Sequence, residues 1–454
     1  MIDIASFIPE ELKELAQLFP KQAPLYVVGG FVRDAIEYNK ASQDIDVASA
    51  LTPPELAYVL KNSKFGLKAA SLRLGTMIIK GQRSYEYTAF RVDSYLEGAG
   101  NHSPQEITFT RKLEKDANRR DFKCNAVYYD IREDKIVDPL NGIQDIQDKV
   151  LSTTIDPYQV LSQDGLRIMR LARMIATHGY SVEKTTKEAA SRLVSRLRDI
   201  SIERISTELV KILLSDNCYE GLSFLREIGA WQFIIPEIAK CDGVEQNPKY
   251  HKYDVLEHTF KTVEYAPKKI RVAALLHDVA KPVCQEKEGN TYKHDIIGAE
   301  MAKKILKRMK FPNEIIAQTE ELVAAHMFDV TGTAKQATIR RFIAAHPDRV
   351  LEIVALQTAD GKATGLVSGP LKENRILTEY NKMKEENIPI RMKELKYSGT
   401  KLGAIGFRGK EIGTVLEEMF DNVIIGCIKN DEEVLDRYAR KKMEKLHGNS
   451  DNNN

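Results

Sequence analysis

The fold of the N-terminal part is decided by LYVVGGFVRDAIEY (residues 25–38) and DIDVAS (residues 44–49). The apolar run before Gly29 predicts a short strand, the glycine pair predicts a tight turn, and VRDAIEY predicts the start of a helix. DIDVAS predicts a second strand. Because side chains alternate along a strand, Asp44 and Asp46 are predicted to lie on the same face.

Outward from this stretch, the periodicity predicts an α+β protein with several domains. A capped helix from Thr52 and strands over residues 75–80 and 84–90 indicate a small mixed α/β head, and from about Tyr158 the apolar spacing becomes helical. The predicted domains are the mixed α/β head (1–150), an all-α neck (151–236), a histidine-rich helical domain (237–370), a helical C-terminal segment (371–445) and a disordered tail (446–454).

Composition excludes several classes of protein. The 454 residues are 43% hydrophobic and 29% charged, which is typical of a soluble globular protein and not of a disordered or fibrous one. The five cysteines are scattered without a Cys-x-x-Cys pair, so neither a disulfide framework nor a thiolate zinc site is predicted, and a reducing cytoplasm is expected. With no basic leader and no run of about twenty apolar residues, neither secretion nor membrane spanning is expected.

The net charge of only +2 means that a nucleic acid would have to be bound by local basic patches. Three such patches are Arg119-Arg120 with Lys123, the run 303–310, and the stretch 437–445. Each one alone is more typical of a solvated helix face than of a phosphate-binding surface.

The pair Asp44 and Asp46 can share one or two hard divalent cations, which prefer oxygen ligands. An Asp-x-Asp pair alone is weak evidence, because most such pairs lie in solvated turns. The turn at Gly29-Gly30 strengthens the evidence for a metal and nucleotide site, because the backbone N–H groups of this turn can approach a triphosphate closely. Glu86, in a strand-like run, is either a third metal ligand or a solvent-facing acid on an edge strand.

Five motifs in order carry a family resemblance. They are GGFVRD (29–34), DIDVA (44–48), Glu86-x-Thr-x-Phe-Arg91, RRDFKCNA (119–126) and DPLNG (138–142). Together they resemble the head of class II tRNA nucleotidyltransferases and of related bacterial poly(A) polymerases. Several motifs in the right order are far more specific than any one of them.

The resemblance implies a metal-dependent transfer of CMP and AMP from CTP and ATP to the 3′ end of tRNA. Asp44 and Asp46 would be catalytic and would hold two Mg²⁺ ions, with Glu86 as a further candidate ligand. It also implies a set of nucleotide-binding residues: Gly29, Gly30, Arg33, Arg91, Arg120, Asp121, Asn125, Asp164, Arg167, Arg170 and Arg173. Within this set, Arg120, Asp121 and Asn125 would select ribonucleotides. Lys123 stands where the family usually has threonine.

The sequence QDGLR (163–167) resembles the family's Glu-Asp-x-x-Arg motif, which reads the incoming base. The i, i+3 spacing predicts Asp164 and Arg167 on one helix face, and an acceptor beside a guanidinium can match cytosine or adenine. Gln163 replaces the usual glutamate. The loop VDSYLEGAGNHSPQ follows Arg91, and its Gly98, Gly100 and Asn101 suit mobility. It lies where the family has a mobile segment linked to the switch from C to A addition. Complete CCA addition, CC-only addition and A-only addition all stay open.

A histidine-rich set lies further along the chain. Its members are His258, His277, Asp278, His294, His326 and Asp360. Imidazoles combined with carboxylates suit manganese, nickel, iron or zinc better than magnesium.

Residues 250–360 resemble an HD-superfamily metal phosphohydrolase domain, and such a domain follows this type of head in many bacterial enzymes. The resemblance implies an inner metal site of His258, His277, Asp278 and Asp360, with His294 and His326 available for a second ion or a phosphate. The alternative is a degenerate HD fold that serves only as a tRNA-binding body.

Three functions of different class therefore compete: a tRNA nucleotidyltransferase, a poly(A) polymerase, and a metal phosphohydrolase whose head only binds RNA. The intact pair of Asp44 and Asp46 disfavours the third. The HD-like region and a tail that ends in NSDNNN, instead of a strongly basic tail, favour tRNA as the substrate. The sequence does not predict an oligomeric state.

Overall fold

The computed structural model describes residues 3–40, 42–94, 106–366 and 374–447. The chain divides into two units, one formed by residues 1–240 with 308–310 and the other by 241–307 with 311–454. A mixed α/β head opens the first unit, and the rest of the described chain is almost entirely helical. The predicted α+β class is therefore confirmed.

The head is built on a seven-stranded sheet. Its strands are β1 (Tyr26–Val28), β2 (Asp46–Ser49), β3 (Gly66–Ser71), β4 (Thr76–Lys80), β5 (Ser84–Ala89), β8 (Tyr128–Asp130) and β9 (Lys135–Val137). Their order across the sheet is β3-β4-β5-β2-β1-β8-β9, and β2 pairs with β5 in parallel while the other pairs are antiparallel. Two small two-stranded sheets accompany it: β6 (Arg91–Ser94) with β7 (Glu106–Phe109), and β10 (Val150–Leu151) with β11 (Ser181–Val182).

Alternation along β5 explains how the head places its acidic residues. Tyr85, Tyr87 and Ala89 are buried, whereas Glu86 is exposed. Side chains of a strand point alternately to its two faces, so the aromatic face packs into the core and Glu86 stands on the opposite face. β5 is an interior strand between β2 and β4, which excludes the edge-strand reading of Glu86.

Helices flank this sheet and continue through the neck. They are α1 (Glu10–Leu18), α2 (Gly30–Tyr38), α3 (Pro53–Leu60), α4 (Leu113–Asn118), α5 (Gly142–Asp148), α6 (Pro157–Gln163), α7 (Leu166–His178), α8 (Lys184–Leu193), α9 (Ile202–Leu213), α10 (Cys218–Glu227), α11 (Trp231–Ile234) and α12 (Pro236–Ala239). Helix α3 starts with a capping box in which the Thr52 backbone N–H donates to Glu55 Oε2 over 2.8 Å. Asp156 caps α6 by accepting from the backbone of Gln159 at 2.9 Å.

The described residues of the second unit form helices joined by loops, with no strand among them. Its helices are α13 (Val255–Tyr265), α14 (Arg271–Leu276), α15 (Lys281–Glu288), α16 (His294–Arg308), α17 (Asn313–Ala325), α18 (Gln336–Ala345), α19 (Val350–Ala363), α20 (Arg375–Glu385), α21 (Gly399–Ile405), α22 (Lys410–Ile424) and α23 (Glu432–His447). Ile343, Met383 and Ile424 help to form one apolar cluster between α18, α20 and α22, while Leu402 and Phe407 belong to another near the C-terminus.

Two local predictions differ from the structure. Strand β2 begins at Asp46, so Asp44 precedes the strand and its alternation does not fix the direction of that side chain. The helical pattern predicted from about Tyr158 is interrupted, because Asp164 is extended at φ −146° and ψ 105° between α6 and α7. A β-carbon at Gly165 would lie 2.7 Å from the Arg196 carbonyl oxygen, so this close approach requires glycine.

Other predictions lie partly outside the described residues. Gly98, Gly100 and Asn101 of the predicted switch loop fall there, as do residues 369–370 at a predicted boundary and residues 448–454 of the predicted tail. Helix α23 itself extends to His447. Within the described chain, no helix combines the length and apolar character needed to cross a membrane.

Candidate functional site

The glycine turn of the head lies directly against one of its acidic side chains. Gly29 has φ +83°, a left-handed value that glycine adopts without strain, and it caps the N-terminus of α2. A β-carbon at Gly29 would lie 3.6 Å from Asp46 Oδ2, because Val28 pairs with Asp46 across β1 and β2. The turn therefore places the N-terminus of α2 beside Asp46, where its free N–H groups favour negatively charged groups.

Three exposed carboxylates occupy the same part of the head. Asp46 and Glu86 are register partners in the parallel pair of β2 and β5, and Asp44 comes just before β2. Partial desolvation, followed by the charges of Glu86 and Asp44, raises the pKa of Asp46. Carboxylates that repel one another in this way, all offering oxygen atoms, fit hard divalent cations.

A buried arginine connects the glycine turn to the Arg-Arg-Asp motif. Arg33, on the first turns of α2, donates from Nη1 to Asn125 Oδ1 at 2.6 Å and from Nη2 to Asp34 Oδ1 at 2.7 Å. Asn125 in turn donates from Nδ2 to Asp121 Oδ1 at 3.3 Å. The structure thus brings Arg33, Asp121 and Asn125 into one network, although they are far apart in sequence.

Asp121 extends this network to the neck. Its Oδ2 lies 2.7 Å from Arg170 Nη2 on α7, and its Oδ1 accepts from the backbone of Phe122 at 2.9 Å. Burial alone would raise the pKa of Asp121, but the charges of Arg170 and Arg167 outweigh it and hold that pKa below its usual range. Asp121 is therefore an ionised anchor that fixes arginines of α7 beside the head.

Arg120 is held by a buried acid that the sequence analysis did not identify. Asp116, fully buried on α4, lies 3.3 Å from Arg120 Nη2 and 2.7 Å from Arg119 Nε. Tyr128 donates to Asp116 Oδ2 at 2.6 Å and accepts from Arg120 Nε at 3.0 Å. A lone Asp in a short charged helix gave no sequence signal for this role.

The predicted base-reading residues lie close in sequence but have separate partners. Asp164 accepts from the Leu166 backbone at 3.0 Å and forms an ion pair with Arg204 at 3.1 Å. Arg167 is buried, and its Nη1 donates to Gln163 Oε1 at 3.0 Å while its Nη2 donates to the Arg119 carbonyl at 2.7 Å. The Arg119 carbonyl thus ties the base-reading segment to the Arg-Arg-Asp motif.

Arg91 and Arg173, the remaining predicted nucleotide-binding arginines, have acidic partners of their own. Arg91 Nε lies 2.8 Å from Asp93 Oδ1, and its guanidinium also donates to the Leu74 carbonyl. Arg173 Nη1 lies 3.1 Å from Glu208 on α9. Burial, followed by the charge of Arg170, lowers the pKa of Arg173. No described hydrogen bond joins either arginine to the Arg33–Asp121 network.

The second unit gathers every predicted histidine-site residue. Asp278 lies at the centre: its Oδ2 is 3.2 Å from His277 Nε2 and 3.5 Å from His258 Nε2, and its Oδ1 is 3.3 Å from His294 Nε2. Asp360 Oδ1 lies 2.9 Å from His258 Nε2. His326 also joins the cluster, with its ring 5.4 Å from that of His277. Two groups of three ligands, both containing Asp278, are close enough to hold an ion each.

Backbone carbonyls fix the orientation of four imidazoles. The Nδ1 atoms bond carbonyl oxygens one turn earlier in three cases, at 2.8 Å for His277, 2.7 Å for His294 and 2.6 Å for His326. His258 Nδ1 lies 3.3 Å from the Ala363 carbonyl. With a proton on each Nδ1, every Nε2 lone pair is left for the cluster, which is how histidines that bind metals are usually supported.

The inner atoms of this cluster are buried and have no hydrogen-bond partner within the described residues. They are Nε2 of His258, His277, His294 and His326, and both carboxylate oxygens of Asp278. Burial would raise the pKa of Asp278, but the charge of a protonated His277 and that of Lys281 hold this pKa well below its usual range. Buried imidazole lone pairs that converge on a carboxylate fit a metal ion of the transition series.

Three residues around this cluster were missed as site residues by the sequence analysis. Lys281 Nζ lies 2.6 Å from Asp278 Oδ2 and donates to Gln246 Oε1 at 2.7 Å. The ring of His251 packs 4.8 Å from that of His258. Lys281 follows His277-Asp278 by one helical turn, so its position could have been noticed; Gln246 lies too far along the chain.

The fold and these two clusters define a class of protein: a nucleotidyltransferase head with a glycine turn and acidic strands, joined to a helical domain with a buried histidine and aspartate cluster of the HD type. Family models match in the same order. The poly A polymerase head domain matches residues 25–152, the probable RNA and SrmB-binding site of polymerase A matches 179–241, and the HD domain matches 250–365.

Curated relatives span nearly the whole chain. The CCA-adding enzyme of Enterococcus faecalis is 26% identical, with 96% of this chain and 98% of the relative covered. That of Streptococcus pneumoniae is 27% identical, with 92% and 93% covered. The CC-adding tRNA nucleotidyltransferase of Thermus thermophilus is 29% identical, with 91% and 92% covered.

Solved structures share the fold. The Bacillus stearothermophilus CCA-adding enzyme in complex with CTP matches with a TM-score of 0.68 at 20% identity, covering 97% of this chain and 98% of that one. The Thermotoga maritima CCA-adding enzyme complexed with tRNA matches with a TM-score of 0.60 at 18% identity, covering 97% and 98%. The chain belongs to the class II tRNA nucleotidyltransferases, with head, RNA-binding segment and HD domain in that order.

Proposed function

We propose that this protein adds CMP and AMP to the 3′ end of tRNA, using CTP and ATP and releasing pyrophosphate. The observation that carries the proposal is the meeting of Asp46 with Glu86 and with the Gly29 turn. Acidic side chains that hold cations, placed beside free backbone N–H groups, suit a triphosphate whose α-phosphate is attacked. The relatives named above have this activity in their names.

In this proposal each group of the head has a separate task. Two Mg²⁺ ions held by Asp44 and Asp46, with Glu86 beside them, would activate the 3′-hydroxyl of the tRNA and stabilise charge on the phosphates. The N–H groups at the start of α2 bind phosphate oxygens. Asp121 and Asn125 contact the ribose, and Arg170, fixed by Asp121 at 2.7 Å, directs positive charge toward the nucleotide.

The base is chosen in this proposal by Asp164 and Arg167. The anchoring of Arg167 to the Arg119 carbonyl, at 2.7 Å, supports this role because it holds the guanidinium rigidly against the head. Arg33, Arg91, Arg120 and Arg173 complete the proposed nucleotide site. We propose CCA as the product. CC-only addition is an alternative because relatives with both names match at similar identity, and A-only addition is a further one.

The decisive test uses the purified full-length chain with tRNA transcripts that end before CCA, after C, or after CC. Each transcript is incubated with Mg²⁺ and with CTP or ATP separately, and single-nucleotide extension is read on a gel. Full CCA addition extends all three in turn with the matching nucleotide; failure after CC indicates a CC-adding enzyme. The proposal fails if no transcript gains a nucleotide, or if poly(A) tails form instead.

A second activity is supported by the buried histidine cluster. We infer that the HD domain holds divalent transition-metal ions, on His258, His277, Asp278 and Asp360 with His294 and His326, and hydrolyses phosphate esters. Such ions activate water as the nucleophile. The degenerate, tRNA-binding alternative predicts that the protein retains no Mn²⁺, Ni²⁺ or Zn²⁺ after dialysis, which elemental analysis decides.

The domain limits and the cellular location are parts of the same proposal. The domain limits that we propose are 1–150 for the head, 151–236 for the neck, 237–370 for the HD domain and 371–445 for the C-terminal segment. A reducing cytoplasm suits the five cysteines, all of which are free.

A further inference from the structure

We propose that Glu37 and Tyr180 form a positioning pair for nucleotide binding. Their hydrogen bond holds α7, which carries arginines of the proposed nucleotide site, at a fixed place relative to α2, whose N-terminus faces the triphosphate. The inference rests on the proposed function of the head, and it adds two residues that act on the site without contacting the nucleotide. Glu37 lies near the end of α2, Tyr180 follows α7, and both belong to the first unit.

The first observation is that α2 and α7 meet at two levels, one helical turn apart. At the first level, Arg33 Nη1 lies 3.6 Å from Met174 Sδ. Four residues later on both helices, Glu37 Oε2 lies 3.5 Å from His178 Nδ1. Equal steps along both helices mean that they run side by side in the same direction. The second level therefore lies one turn farther from the start of α2 and from the triphosphate.

The second observation is a group of polar and aromatic side chains at this second level. The Tyr180 hydroxyl donates to Glu37 Oε2 at 2.8 Å, and the Tyr180 side chain is buried. Tyr38 Oη lies 3.0 Å from His178 Nδ1, and the two rings are stacked. Burial lowers the pKa of His178 to about 3, so this imidazole is neutral at pH 7 and forms no ion pair with Glu37. The hydrogen bond from Tyr180 is thus the contact that ties Glu37 to the end of α7.

The third observation is that the Glu37 carboxylate is buried with incomplete compensation. Its side chain is 4% exposed, and its Oε1 has no hydrogen-bond partner among the described residues, with Lys149 Nζ 4.0 Å away. A buried carboxylate of this kind costs stability, and apolar side chains of similar size would pack at least as well. A hydrogen bond, unlike apolar packing, fixes both distance and direction. The pair therefore fits a positioning role better than a stabilising one.

The length of α7 makes a contact at its far end important for its near end. Near its start, α7 is held to the head by the ion pair of Arg170 with Asp121, at 2.7 Å. Its 13 residues span about 20 Å. Over this length, a change of about 5° in the angle between the two helices moves one end by about 2 Å. Since a misplacement of about 1 Å can cost as much as a hundredfold, loss of the far contact is enough to disturb the arginines of α7.

The test measures the affinity of the full-length protein for labelled CTP in the presence of Mg²⁺, by equilibrium dialysis well below the melting temperature of every variant. Tyr180→Phe, which removes only the hydroxyl, and Glu37→Leu should each weaken CTP binding by about tenfold. The double variant should bind CTP no worse than the weaker single variant, because the same contact is lost in all three. Glu37→Gln keeps an acceptor for the Tyr180 hydroxyl and should bind within about twofold of the wild type.

Matched controls remove the same groups where they are exposed. Tyr58→Phe on α3 removes a hydroxyl from an exposed side chain, and Glu188→Leu on α8 removes an exposed carboxylate. Both controls should bind CTP like the wild type. Circular dichroism must show an unchanged fold in every variant at the temperature of the binding measurement.

Three results would overturn the positioning pair. They are wild-type CTP affinity in Tyr180→Phe and Glu37→Leu, whatever their melting temperatures; effects of these two variants that multiply in the double variant; and binding by Glu37→Gln that is as weak as binding by Glu37→Leu. Extension of tRNA transcripts by the wild type is measured in parallel. If the wild type binds CTP through this pair but extends no transcript, the proposed nucleotidyl transfer is refuted and the pair stands. A wild type that does not bind CTP refutes both.

Discussion

The acidic cluster of the head and the histidine cluster of the second unit differ in solvent exposure and in the type of ligand atom they offer. In the head, Asp44, Asp46 and Glu86 are exposed carboxylates on and beside neighbouring strands. In the second unit, His258, His277 and Asp278 are almost completely buried. Exposed oxygen donors suit a hydrated ion that arrives with its nucleotide, whereas buried imidazoles suit an ion that stays with the protein. The two clusters should therefore differ in metal preference and in metal exchange.

Asp46→Asn should produce the largest single effect. Loss of a carboxylate that we propose holds the ions is expected to reduce nucleotide addition by about a thousandfold or more, since such ions would provide most of the charge stabilisation. The measurement is single-nucleotide extension of a tRNA transcript at saturating CTP. Manganese retained by the histidine cluster should be unchanged, and a parallel loss there would mean that the two clusters are not independent.

His277→Ala should have the reciprocal effect. Removing a central ligand is expected to weaken transition-metal binding by at least about a hundredfold and to abolish phosphoester hydrolysis. Metal content after dialysis and turnover of p-nitrophenyl phosphate are the readouts. Extension of tRNA should remain within about twofold of the wild type, and a fall as deep as that of Asp46→Asn would contradict the proposed division of tasks.

Asp121→Asn should have an intermediate effect on the head alone. Its ion pair with Arg170, at 2.7 Å, would be lost, and we expect about tenfold weaker nucleotide binding with reduced discrimination against deoxyribonucleotides. The ratio of kcat/KM for CTP and dCTP measures this. An unchanged ratio, with an intact fold, would show that Asp121 does not contribute to ribose selection.

The same variant has a defined dependence on pH. Because Arg170 and Arg167 hold the pKa of Asp121 below its usual range, its ionisation stabilises the folded state above the unfolded pKa of about 3.9. That stabilisation, of about 1–3 kcal/mol for a buried charged hydrogen bond, is lost as the pH falls through the folded pKa. Urea unfolding at pH 7 and at pH 3 should therefore show a larger difference between wild type and Asp121→Asn at pH 7.

Gln163→Glu should have the smallest effect. Gln163 already accepts from Arg167 at 3.0 Å, and two backbone carbonyls also accept from the Arg167 guanidinium. A glutamate at position 163 would therefore add negative charge without moving the guanidinium. We expect the ratio of CMP to AMP incorporation to change by no more than a few-fold, as measured by competition between labelled CTP and ATP. A complete switch in nucleotide choice would show that this position, and not the backbone, controls Arg167.

The sequence predicts the two clusters unequally well. In the head, the period of two in β5 and the glycine turn before α2 are local patterns, so the strand, the turn and the exposed face of Glu86 can be predicted from adjacent residues. The partners of Arg33 cannot, because Asn125 is 92 positions away and meets it only after the sheet forms. The short strands β8 and β9 were missed for a different reason, because three residues are too few to show a period.

In the second unit, periodicity predicts helices but not which of their residues meet. The resemblance to HD domains, and not the helical pattern, indicated that Asp278 and Asp360 would lie near His258. The contact of Lys281 with Asp278 and the carbonyls that orient the imidazoles are local, three residues apart, but hydrophobic periodicity does not indicate them. The break at Asp164 was also missed. The apolar residues on either side keep helical spacing, and this spacing does not reveal that the Asp164 side chain accepts from the backbone of Leu166.

The hydrogen bonds between backbone carbonyls and the Nδ1 atoms order the imidazole rings before a metal ion binds. The rings of His277, His294 and His326 are ordered by backbone carbonyls three residues earlier in the chain, at 2.6 to 2.8 Å, so the entropy of fixing these rings is lost during folding and not at metal capture. The cluster should then bind metal ions even at a low concentration of free metal. Without a bound ion, the unsatisfied lone pairs lower the folding stability of the second unit. The melting temperature of the second unit is therefore expected to rise with the concentration of free transition-metal ions.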